Sequence, residues 1–195
     1  MEMNEAKLVK AVVNLGDRRV QEITNLHAGI AGGLAIIPIP FASVPLVLGN
    51  LYTMYGRINS VVGVKFSENI LKSIGGMIAS NLAVYGGAVA ACQVIKFVPL
   101  FGSIGGALME CALNFATTKV SGALYCELLK VMADNGAIGE NGQVNEAAAK
   151  KATENVCRDK DRIKKMFEQE KQNAKNVDFN KYKSEARKLA DEHKK

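Results

Sequence analysis

A chain of 195 residues with net charge +6, 6% aromatics and no tryptophan is sized for one compact domain with an appendage. Its basic excess is diffuse: residues 136–195 hold 15 of the 25 Lys and Arg but also 11 of the 19 acids. With no interleaved aromatics and no recognisable motif, that pattern argues against a nucleic-acid partner. Cys92, Cys111, Cys126 and Cys157 lack CxxC or other ligand spacing and read as small buried hydrophobes of a reducing compartment. His27 and His193 are too far apart in chain and context to suggest a metal site. The N-terminal MEMNEAKLVK mixes acids with bases and no apolar core follows it promptly, which argues against a cleaved export signal.

Residues 5–27 repeat with helical period, Val9, Val13, Gly16, Val20 and Ile23 sharing one face. Nothing from there to Ile37 breaks the helix decisively, although Gly29, Gly32 and Gly33 weaken it, so a first helix is expected over about 5–37. From Ala28 to Gly56 no residue is charged, and Pro38, Pro40 and Pro45 interrupt the run. Proline fixes φ and removes a donor, which makes Pro38–Ser43 a bend. Ser43 can cap the next helix and Pro45 fits its first turn. That second helix is expected to reach about Val64.

Ser67 as N-cap and Glu68 in the first turn predict a third helix to about Ile95, with no charge between Lys72 and Lys96. Gly75, Gly76, Gly86 and Gly87 are candidate positions for close helix packing, as are Gly105 and Gly106 further on, because small residues let backbones approach. A second bend, with Pro99, Gly102 and Ser103, precedes a fourth helix that Asn135-Gly136 stops. PIPFAS and VPLFGS make the two halves look like a repeated helical hairpin. Asn145 can cap a further helix to about Ala174, with a thin apolar stripe of Ala149, Ala152, Val156, Ile163 and Phe167. A nearly all-charged helix is expected over about 180–193.

The expected fold is therefore all-α, in three parts. Residues 1–27 form an amphipathic segment, 28–135 two Pro-bent apolar helical hairpins in a membrane-embedded bundle, and 136–195 a charged helical tail that is solvated or docks a partner. Helices apolar on every face belong in a large core or in lipid, and residues 73–95 meet the length of roughly 20 that a span requires. Residues 28–37 cover only about half the hydrocarbon thickness. Basic residues gather away from the bends, which under the positive-inside tendency sets both termini on the cytoplasmic side of a bacterial inner membrane or an internal membrane.

No phosphate loop, HExxH or GxSxG occurs, so no catalytic, cofactor or metal residue is assigned. Ser43 and Ser103 read as caps rather than nucleophiles. Glu110 and Lys119 are the candidates for an ionisable site within the apolar region, and snorkelling at an interface is the plainer account of them. The expected partners are a lipid bilayer, further copies of the chain and a protein engaged through the tail.

At the bends the sequence resembles a bacterial family of unknown function typified by the YcjF-type inner-membrane proteins and the C-terminal region of certain Era-like GTPases. The likeness spans roughly residues 25–132. It rests on Ile37-Pro38-Ile39-Pro40-Phe41-Ala42-Ser43-Val44-Pro45, on Lys96-Phe97-Val98-Pro99-Leu100-Phe101-Gly102-Ser103-Ile104-Gly105-Gly106, on Ala116-Thr117-Thr118 and on Gly122-Ala123-Leu124-Tyr125. The chain departs from the family's Pro-Gly at the second bend, and no GTPase domain accompanies it, so a GTPase would act in trans. The resemblance implies no enzymatic activity. A membrane-associated scaffold is the expected function, with a pore-forming protein and a soluble helical oligomer as the alternatives.

Overall fold

In a computed structural model, which describes residues 17–37, 43–86, 103–139 and 141–192, the chain is all-α. Seven α-helices are described: α1 Arg18–Leu34, α2 Ser43–Val62, α3 Glu68–Gly86, α4 Ser103–Asp134, α5 Glu146–Val156, α6 Lys160–Asn173 and α7 Lys183–Glu192. Two 3₁₀ turns, Ala174–Asn176 and Phe179–Tyr182, join α6 to α7. Among the described residues there is no strand, only the isolated bridges Lys65–Gln143 and Ile138–Val144.

Local chemistry sets most of the boundaries. The first helix begins later than its apolar period suggests, because Asp17 caps it: the carboxylate accepts from Arg19 N–H at 2.8 Å and from the Arg19 guanidinium at 2.7 Å. Residues 1–16 lie outside the described residues. At its other end α1 tightens into i→i−3 bonds, Ile36 N to Gly33 O and Ile37 N to Leu34 O, just ahead of Pro38. Helices α2 and α4 close alike. Gly63 (φ 76°) and Gly136 (φ 65°) take the left-handed conformation, while Val64 N bonds Asn59 O and Ala137 N bonds Met132 O. Ser67 Oγ accepts from Ile70 N at 3.3 Å and starts α3. Asn145 caps α5. The single helix expected from there to Ala174 is in fact two, because Asp159 accepts from Arg162 N and starts α6 afresh.

Helix α4, about 48 Å long at 1.5 Å per residue, is the central rod, packing against α1, α2, α3, α5, α6 and the first 3₁₀ turn. Tyr55 pairs with Ser121 and Tyr125 with Asn59, both 66 residues apart, so α2 and α4 run parallel. Their first turns, which follow the two expected bends, therefore share one end of the bundle. Helix α1 runs antiparallel to α4: Lys119 reaches Asn25 at 2.7 Å, while Ala35 joins Cys111 and Phe115 further along. The last turns of α3 are held at the start of α6, where Tyr85 donates to the Lys160 carbonyl at 3.0 Å and Lys160 bonds Asn81.

The tail is part of this bundle. Ala149, Ala152, Val156, Ile163 and Phe167 are all buried in the main core with the α2, α3 and α4 side chains. Arg162 pairs with Glu127 of α4 at 2.7 Å. This changes the physical argument for lipid. The faces of α4 that four helices could not cover are covered by α5 and α6, whose single apolar stripe is hidden among charges. Among the described residues no helix is long and apolar enough to cross a membrane. The span expected over 73–95 is described only to Gly86.

Candidate functional site: a polar seam and the glycine face of α1

Between α1 and α2 lies a buried imidazole. His27 is 3% exposed, and its Nδ1 stands 2.7 Å from Asn50 Oδ1, while Asn50 Nδ2 donates to the His27 carbonyl at 2.8 Å. With the amide oriented by that second bond, Nδ1 carries the proton and Nε2 is left to accept from the Arg57 guanidinium at 3.4 Å. Burial lowers the His27 pKa below its ordinary value; Arg57 pushes the same way and the Asn50 bond opposes it. The ring is neutral at physiological pH.

One layer further in, Tyr55 and Tyr125 stack with centroids 4.1 Å apart, and neither is exposed. Tyr55 bonds Ser121, and Tyr125 donates to Asn59 Oδ1 at 2.6 Å. Burial pushes both phenols up, so both stay neutral, and their bonds fix the α2–α4 register. Phe66 meets Tyr125 edge-on at 6.2 Å. These polar groups satisfy one another and are all buried. A cleft of about 410 Å³ opens instead between the end of α4 and α5, beside Asn135, Asn145, Lys151 and Asn155. Two of its amide oxygens are already used: Asn145 caps α5 and Asn155 accepts from Arg158.

The second feature is the glycine face of α1. A Cβ on Gly29 would overlap the Tyr182 ring and one on Gly32 the Phe179 ring, while at Gly33 the Tyr182 Cβ and carbonyl oxygen stand 3.3 Å away. Both aromatics belong to the 3₁₀ turn ahead of α7. Phe179 also meets Phe115 of α4 edge-on at 5.8 Å. Beyond them Ala186 and Ala190 of α7 are buried against Ile30 and Leu34 of α1 and Leu46 and Val47 of α2. The apolar hairpin arms on either side of the first bend are thus covered by the end of the tail. The sequence reading missed this pairing; its signal is Phe179-x-x-Tyr182, two aromatics in an otherwise charged segment.

The other positions singled out by sequence are dispersed. Ser43 opens α2, Pro45 sits exposed in its first turn, and Ser103, Gly105 and Gly106 belong to the first turn of α4. Pro38, Pro40, Pro99, Gly102, Gly87 and Cys92 lie outside the described residues. Gly86 is the last residue of α3. Gly75 is pressed by Tyr52 and Tyr55, whereas a Cβ on its neighbour Gly76 would meet nothing within 4 Å. Glu110 is fully buried on α4, and Lys119 is half-buried on Asn25. Among the described residues no cluster of three His, Cys, Asp or Glu could hold a metal ion. Burial raises the Cys126 thiol to about 11 and also raises Cys157, which keeps both protonated near neutrality.

No family model, curated protein or solved structure matches the chain.

Proposed function

We propose that this chain is a non-enzymatic helical module that associates with a membrane and holds a protein partner there. One observation carries the reading. Three large hydrophobic side chains stand exposed among the described residues, Val84 at 79%, Leu108 at 63% and Met109 at 48%. In sequence they flank residues 87–102, whose only charge is Lys96. Helix α3 adds no charge after Lys72, and Ser80 and Ala83 are exposed beside Val84.

Each such side chain contributes roughly 1.5–3 kcal/mol when fully withdrawn from water. A few of them support reversible interfacial docking rather than the permanence of a span. The partner reads the outer faces of α5 and α6, where Lys150, Lys151, Glu154, Lys164, Lys165 and Glu168 are exposed. A GTPase acting in trans is the class that the resemblance to the YcjF-type family suggests. The bilayer is the bacterial inner membrane or an internal one, with the tail on its cytoplasmic face, and further copies of the chain gather there.

Flotation of the purified full chain with phosphatidylcholine–phosphatidylglycerol vesicles tests the reading. The chain should rise with the vesicles, and the Val84→Glu/Leu108→Glu/Met109→Glu variant should stay at the bottom. A wild-type chain that stays at the bottom defeats the proposal. Release of an encapsulated dye would replace it with the pore-forming reading.

A further inference from the structure

The end of the tail lies over the apolar arms of the first hairpin, and the character of both surfaces suggests why. The covered side is formed by Ile30 and Leu34 of α1 with Leu46 and Val47 of α2, all buried. It belongs to the stretch from Ala28 to Gly56 that holds no charged residue. A groove for a protein helix has no need of neutrality beyond its rim, whereas charges near a lipid-docking surface are costly at depth. The covering side is slight. Helix α7 has ten residues, below the roughly 12–15 at which an isolated helix becomes even marginal in water. It buries only Ala186 and Ala190, with Tyr182 and Leu189 partly buried beside them. Its hold comes from Phe179 and Tyr182, which fill the hollows that Gly32 and Gly29 leave on α1.

We infer that residues 177–192 are a releasable clasp over a second lipid-docking face, the one formed by Ile30, Leu34, Leu46 and Val47. Release of the two aromatic pegs frees α7 and turns the first hairpin's apolar side toward the bilayer. The occupant of the freed face is the acyl boundary of a membrane. The inference rests on the membrane reading above and adds its regulation: the exposed side chains of α3 and α4 dock first, and the clasp controls deeper engagement.

The test separates the two ideas. In the Val84→Glu/Leu108→Glu/Met109→Glu background, which removes the exposed anchor, Phe179→Ala/Tyr182→Ala is added from the tail side. In a parallel chain Gly32→Leu is added from the α1 side. Hydrogen exchange follows residues 30–34 and 183–192, and flotation with the same vesicles reads membrane partition. Both additions should speed exchange in both segments and raise partition about tenfold or more over the background. Faster exchange without a rise in partition overturns the lipid-docking face, and a defined dimer in light scattering would then assign it to a second copy. Unchanged exchange with both additions overturns the clasp. Failure of the unaltered chain to float counts against the membrane reading alone, because the clasp variants report on the hairpin face independently.

Discussion

Replacing Asn50 with alanine removes one side chain and unties α1 from α2 at the centre of their contact. The amide is 2% exposed and makes both bonds of the reciprocal pair with His27, 23 residues away. Its loss leaves the His27 Nδ1–H buried without an acceptor, a penalty of roughly 1–3 kcal/mol. The His27 carbonyl lies within a helix and keeps its own backbone donor, so its share is smaller, about 0.5–1 kcal/mol. The missing amide also leaves a small void. The expected total is about 2–4 kcal/mol, which for a chain of this size lowers Tm by roughly 5–15 °C. Urea unfolding monitored by circular dichroism, with an unchanged slope, measures it. The same substitution in a His27→Ala background should cost at least about 1 kcal/mol less, because the stranded donor is gone. A loss below about 0.5 kcal/mol, or an equal loss in both backgrounds, would refute the assignment of these bonds.

The neutral His27 ring also predicts a pH dependence. Its folded pKa lies below the unfolded value of about 6.5, so below that pH the unfolded chain takes up a proton that the folded chain does not. Stability from this site is full above about pH 6.5 and falls as pH drops toward the folded pKa, with a slope of at most about 1.4 kcal/mol per pH unit. His27→Gln should flatten that limb in urea titrations between pH 7 and 5, and an unchanged slope would remove His27 as its source. The glycine pair of α3 should behave asymmetrically in thermal unfolding. Gly75→Leu meets the Tyr52 and Tyr55 rings and should cost about 1–3 kcal/mol, whereas Gly76→Ala enters open space and should gain roughly 0.5–1 kcal/mol. Equal effects at the two sites would contradict the packing of α3 on α2.

Much of the local architecture could be read directly from residues. Ser67, Asn145 and Asn135-Gly136 mark helix ends because caps and left-handed glycines act through bonds within a few positions. The stripe from Ala149 to Phe167 is legible for a similar reason, since helical period decides which side chains share a face. Asp159 was harder to see: a cap inside a run of charges looks like one more solvated residue. The seam was illegible because Asn50, Asn59 and Ser121 each look like an isolated polar residue in an apolar helix. Only the packing of α2 on α1 and α4 brings their partners within reach. From sequence the glycines of α1 are only weak points in a helix, and the structure places two aromatic rings of the same chain on them. Composition suggests that such a face needs cover; it does not say which of the 195 residues provides it.

The position of that cover in the chain sets a schedule for synthesis. Helices α1 and α2 leave the ribosome well before the residues that lie over Ile30 and Leu34, which come from α7. About 150 residues separate the two, which at translation rates of roughly 5–20 residues per second leaves the hairpin bare for about 8–30 s. Such an interval far exceeds the time helices need to form. A nascent first hairpin can therefore meet a membrane or a chaperone before its own chain can claim it, and the compartment in which α7 is made helps decide which surface it finds.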